Sequence, residues 1–168
     1  MKKIYLIILL TFFKINLVHS LIEVDITRGN LDPLPVAVSP LHVDPQSDII
    51  NEIKTKELGE NISAIVEKNF KSTGLFNPLQ KDSFVQKPDI AHLKPRFEDW
   101  RLIKAQALIT GKVLIKDNKL KVEFRLWDLT ASKEMLALAF TTTPTNWRRV
   151  AHIISDKVYE RLTGEKGY

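Results

Sequence analysis

Three consecutive stretches of about ten residues each alternate between apolar and polar side chains, and they constrain the fold of this chain more than any other feature. They are Ala107–Lys116, Lys119–Asp128 and Glu134–Thr142. A period of two is that of a strand with one face buried. Asp117-Asn118 separates the first two by only two residues, which suits a hairpin turn with positive backbone angles. Leu120, Val122, Phe124 and Leu126 line one face of the middle strand. Lys119, Lys121, Glu123 and Arg125 line the other, where Trp127 is the exception. One face therefore meets helices, and the other is at least partly wet.

The rest of the chain supplies those helices. Leu58, Ile62, Ile65, Val66 and Phe70 recur at helical spacing and Gly74 stands at the left-handed cap position, which predicts a helix over Glu57–Ser72. Trp147, Val150, Ala151, Ile154, Val158 and Leu162 form the stripe of a second helix, capped by Thr145 or Asn146 and ended by Gly164. Phe97, Trp100 and Ile103 predict a shorter helix. Val36–Val38 reads as a short buried strand, Asp44–Asn51 as a loop, and Leu75–Leu79, stopped by Pro78, as a turn or edge strand. Lys81–Lys94 reads as a surface excursion. The expected fold class is α/β (α+β): one small domain, with a mixed or antiparallel sheet. Two main helices and one short helix pack on one face of it.

The chain begins with a pattern of a different kind. Lys2 and Lys3 precede the apolar run Ile4–Phe13, Lys14 interrupts it, and Val18-His19-Ser20 offers residues that a signal peptidase reads. A ten-residue helix is about 15 Å long, half the thickness of a bilayer core. Residues 1–20 are therefore expected to be a cleaved signal peptide, with no membrane insertion afterwards. The formal charge of +5 includes the three leader lysines, so the exported chain is close to balanced at +2. That balance gives no reason to expect nucleic acid as a partner. Cysteine is absent, so an exported domain of this kind holds together by packing alone.

Catalytic constellations are missing from the pattern. His42, His92 and His152 have no metal-ligand spacing, and His42-Val43-Asp44 is a pair that a polar loop contains by chance. Glu98 and Asp99 are adjacent, and carboxylates so placed point to different sides of a helix. Ser39, Ser47, Ser63 and Ser83 lack a nucleophile-elbow setting. Six scattered glycines form no phosphate cradle. Arg148-Arg149 reads as a solvated helix face, and Lys112, Lys116, Lys119 and Lys121 as a charged edge that discourages aggregation. Trp100, Trp127 and Trp147 read as core, Trp127 being the one set on a charged face. No catalytic residue, cofactor or metal site is expected.

One segment offers a function. Ile22-Glu23-Val24-Asp25-Ile26-Thr27-Arg28-Gly29 alternates like a strand and lies at the expected mature terminus. The Pro-rich stretch around Pro33 and Pro35 tethers it to the domain. Such a segment either becomes an edge strand of its own sheet or adds to the exposed edge of a partner's sheet.

Several stretches together resemble the start of the TolB family of the Tol–Pal system. They are the leader, the segment ending in Gly29, Pro35–Pro40, Gly74–Leu79, Ala107–Val113 and Asp156–Tyr168, in the family's order. The resemblance implies a small periplasmic α/β domain without chemistry. Its terminal peptide, here Ile22, Glu23, Val24, Asp25, Ile26, Thr27, Arg28 and Gly29, would bind the C-terminal domain of TolA. It implies a part in outer-membrane integrity and envelope constriction during cell division, and a division into residues 1–20, 21–34 and 35–168. Family members continue into a six-bladed β-propeller that binds Pal. The sequence stops at Tyr168, so direct contact with Pal is not expected of it. A decayed fragment without function is the alternative reading, and a periplasmic enzyme the third.

Overall fold

The computed structural model describes residues 22–24 and 32–166. Its centre is the meander read from the sequence: β4 (Ala107–Lys116), β5 (Lys119–Asp128) and β6 (Lys133–Thr142), paired antiparallel in that order. Asp117 (φ 48°) and Asn118 (φ 56°) both lie in the left-handed region, as a two-residue hairpin matched to strand twist requires. Before the meander come β1 (Leu34–Val38), the two-residue β2 (His42–Val43) and β3 (Phe76–Pro78). β1 pairs parallel with both β4 and β3, and β2 pairs parallel with β4 further along. The described residues thus form a six-stranded mixed sheet in the order β3-β1-β4-β5-β6, with β2 off that path. β3 is an edge strand, the second of the two outcomes allowed for Leu75–Leu79.

The main core lies between one face of this sheet and helices α1 (Leu58–Thr73) and α4 (Trp147–Thr163). α1 contributes Leu58, Ile62, Val66 and Phe70, and α4 contributes Val150, Ile154, Val158 and Leu162, all almost fully buried. Gly74 and Gly164, at φ 71° and 75°, end the helices in the left-handed conformation. Two short helices complete the fold, α2 (Pro88–Ala91) and α3 (Phe97–Leu102).

The expectation that all helices share one face is corrected here. α3 buries Trp100 in a second cluster with Ala37, Leu108, Trp127 and Leu129, on the opposite face of the sheet. Neighbouring residues such as Val36 and Ile109 point into the main core instead, as alternation along a strand demands. Handedness supplies the reason. The β1–α1–β3 crossover moves outward along the sheet, and the β3–α3–β4 crossover moves back across β1. Parallel crossovers are right-handed in both directions, so reversing the direction puts the connecting helix on the other face.

That second cluster also resolves Trp127. Phe97 meets it edge-to-face at 5.8 Å between ring centroids, and its indole N–H donates to Thr110 Oγ1 at 2.9 Å. The expected side-chain cap of α4 is absent. Pro144–Asn146 forms a 3-10 turn running directly into the helix, and Asn146 Nδ2 donates back to Thr142 Oγ1.

Candidate functional site

The site forms at the end of the sheet where β5 finishes and α4 makes its last turn. Asp128 closes β5 and is completely buried. Its Oδ1 accepts the Ala131 N–H at 2.8 Å, which holds the turn into β6. Its Oδ2 accepts the Ile22 N–H at 2.9 Å. Two residues on, the Val24 N–H donates to the Leu162 carbonyl at 2.7 Å. Carbonyls in the last turn of a helix have no intrahelical donor, so Val24 satisfies a group that α4 leaves open. Ile22 and Val24 are half-buried against the main core while Glu23 is exposed. The alternation read from the sequence therefore holds over these residues, although Ile22–Val24 joins no strand. Asp25, Ile26, Thr27, Arg28 and Gly29 lie outside the described residues.

Magnitudes decide how firmly this contact holds. Two hydrogen bonds contribute about 1 kcal/mol each, the one to carboxylate somewhat more. Two half-buried aliphatic side chains contribute about 1 kcal/mol each. Ordering three residues costs about 1–2 kcal/mol per residue. The sum lies near zero, so docked and undocked forms of the segment are close in free energy.

The other candidate residues are accounted for locally. His42 and His92 stack with centroids 4.4 Å apart and planes 5° from parallel. Burial first, and then the His92 ring, hold His42 below the ordinary imidazole range. Asp44 pairs with Lys112 at 3.1 Å, and the Gln46 N–H and Lys112 hold its carboxyl below its usual range. His152 sits elsewhere, on α4, with Nδ1 3.0 Å from Asn69 Nδ2. The histidines therefore do not converge. Among the described residues no group of three or more His, Cys, Asp or Glu is placed to hold a metal ion. Glu98 and Asp99 turn apart to Arg101 and Arg96. Ser39, Ser63 and Ser83 donate to the nearby carbonyls of Pro40, Glu60 and Gln80, and Ser47 Oγ accepts the Ile115 N–H. Arg148 lies over the Trp147 ring. Lys116 and Lys121 pair with Asp48 and Glu123. Burial raises the Glu67 carboxyl above its ordinary range despite Lys81 at 3.2 Å. A cavity of about 280 Å³ between α1 and α4 is lined by Asn69, Phe70, His152, Ser155 and Tyr159 among others. No helix of the described residues is long and apolar enough to cross a membrane.

Sequence reasoning marked Ile22 and Val24 but not their receptors. Asp128 reads as one more polar residue in an alternating strand, and the Leu162 acceptor is backbone. The His42–His92 stack escaped for a similar reason: its members lie fifty positions apart.

A small mixed α/β domain that holds an extended terminal segment by backbone hydrogen bonds belongs to the class of protein-binding modules. The model of the TolB amino-terminal domain matches residues 22–135, and the chain belongs to that family. It is 65% identical over 166 residues to the Tol-Pal system protein TolB of Pelagibacter ubique (strain HTCC1062), covering 98% of this chain and 37% of that one. The crystal structure of TolB from Acinetobacter baumannii superposes with a TM-score of 0.64 at 19% identity, over 81% of this chain and 30% of that chain. The PelC dodecamer from Paraburkholderia phytofirmans has a TM-score of 0.50 at 16% identity, over 80% of this chain and 90% of that chain. These last two likenesses show the fold.

Proposed function

We propose that the chain is a periplasmic protein-binding component of the Tol–Pal system, engaging the C-terminal domain of TolA through Ile22–Gly29. In this reading residues 1–20 are a signal peptide, residues 21–34 the binding peptide and its tether, and residues 35–168 the domain that carries them. The peptide adds to an open sheet edge of TolA, with main-chain bonds giving affinity and Ile22, Val24 and Ile26 giving register. Its work is in outer-membrane integrity and envelope constriction during division, and no reaction is assigned to it.

The observation that carries this reading is the near-balanced docking of Ile22–Val24. The segment rests on the domain through two backbone N–H donors, the same groups a partner's edge would take. Membership of the TolB amino-terminal domain family supports it. The test is binding of Leu21–Tyr168 to the TolA C-terminal domain by calorimetry, beside a chain starting at Asn30. Binding by the first and not by the second is the expected result. Equal binding by both, or binding by neither, refutes the assignment.

A further inference from the structure

The two edges of the sheet are finished very differently. β3 is three residues long and ends in Pro78, so it offers little to an incoming strand. β6 runs for ten residues and, among the described residues, pairs only with β5. From Met135 to Thr142 it carries neither charge nor proline.

Register identifies its open groups. A two-residue hairpin makes Lys116 and Lys119 a hydrogen-bonded pair, so odd-numbered residues of β5 bond to β4 and even-numbered ones to β6. Leu126, Phe124, Val122 and Leu120 therefore exchange bonds with Leu136, Leu138, Phe140 and Thr142. The intervening Ala137, Ala139 and Thr141 aim their N–H and C=O groups out of the sheet. Arg161 Nε already donates to the carbonyl of Met135, one alternation earlier. The side chains sort in the same way. Leu136, Leu138 and Phe140 are half-buried on the helix side, and Ala137, Ala139 and Thr141 are exposed on the wet side. The two alanines border a shallow depression of about 200 Å³ beside Glu123 and Arg125.

We propose that the open edge of β6 takes the terminal segment Ile22–Thr27 of a second copy of this chain. Ile22, Val24 and Ile26 match the apolar row Leu136, Leu138 and Phe140. Glu23 and Asp25 then fall on the wet side, where Lys121, Arg125 and Lys133 outnumber Glu123 and Glu134. Pairing β6 with β6 of a second copy would instead bring two net-positive rims together. Reach argues for a second copy over the segment's own chain. A strand added beyond β6 lies four strand spacings from β1, about 19 Å, and setting Thr27 beside Ala137 adds about 20 Å along the strands. The separation is then about 28 Å, against at most ~25 Å for the seven residue steps from Thr27 to Leu34. The proposal stands on the edge itself and does not depend on TolA.

Sedimentation velocity on Leu21–Tyr168, from micromolar to millimolar concentration, tests it. The expected result is reversible assembly that rises with concentration and is lost in a chain starting at Asn30. It is also lost in Ala139→Pro, which removes an outward N–H and no ladder bond. Added peptide Ile22–Gly29 should shift the amide resonances of Ala137, Ala139 and Thr141 in the chain starting at Asn30, a measurement independent of the proline variant folding. A monomer at every concentration overturns the proposal. So does assembly that survives loss of the segment, which would mean edge-to-edge pairing, and so do unmoved resonances at those three positions.

Discussion

Replacing Asp128 by Asn should free the terminal segment while leaving the domain intact. Asn keeps a carbonyl oxygen for the Ala131 N–H, so the turn between β5 and β6 retains its hydrogen bond. The other oxygen becomes an amide donor facing the Ile22 N–H, which loses its acceptor. A hydrogen bond to a charged acceptor contributes about 1.5–3 kcal/mol. At about 1.4 kcal/mol per tenfold, the docking equilibrium shifts by roughly 10- to 100-fold. A segment near balance in the parent chain is then docked in fewer than about one molecule in ten. Amide exchange followed by NMR reads this directly: protection at Val24 should disappear, although its own acceptor, the Leu162 carbonyl, is untouched. Apparent affinity for the TolA C-terminal domain should rise, but by no more than about twofold, because about half of the parent molecules are already competent. Unchanged protection at Val24 in Asp128→Asn would refute the idea that the two hydrogen bonds hold one near-balanced unit.

Two further predictions follow from packing and charge. A Cβ added at Gly59 would lie 1.8 Å from the Leu41 carbonyl oxygen, so α1 must shift and the Leu41 N–H to Gly59 carbonyl bond must lengthen. Overpacking and the weakened bond together outweigh the gain in helix propensity, and Gly59→Ala should cost about 3 kcal/mol, read as a melting temperature lower by roughly 10 °C; a change below about 0.5 kcal/mol would sink that geometry. His42 is held below the ordinary imidazole range, so its neutral form is favoured on folding. Its contribution is complete above about pH 6.5 and declines as pH falls through that value toward the folded one. Denaturant titrations at about pH 8 and about pH 5 should therefore show a smaller loss for His42→Phe than for the parent, and equal losses would contradict the cause assigned to the shift.

How much of this could be read from the sequence depends on the range of the interactions. The meander came out almost residue for residue, because alternation and the Asp117-Asn118 turn are local signals strong enough to set register. α1 and α4 were legible for the same reason, each having an apolar stripe and a glycine stop. The face taken by α3 was not legible. It follows from β1 lying between β3 and β4, and that pairing is written in no stretch of ten residues. Trp127 looked anomalous only while the sheet was thought to have helices on one side. Once α3 crosses behind, a tryptophan on that face is what fills the second core. The missing cap of α4 is a local failure: Pro144 starts a 3-10 turn early, which leaves Asn146 no room to act as a side-chain cap.

The terminal segment was legible as a strand pattern, yet its docking depends on groups with no sequence signature. A helix must end with unpaired carbonyls whatever its sequence, and α4 ends next to the turn that Asp128 holds. Releasing the segment returns the Leu162 carbonyl to water, which can replace the Val24 donor at little cost. Releasing Ile22 leaves Asp128 with the Ala131 bond it already has. Neither receptor is therefore stranded, and this is why a contact of two hydrogen bonds can exchange without destabilising the core beneath it. A segment that joined the sheet in register would have surrendered more bonds on leaving and would be a structural strand. Holding it at the end of a helix, beside the sheet but outside its ladder, keeps its backbone donors available to another edge.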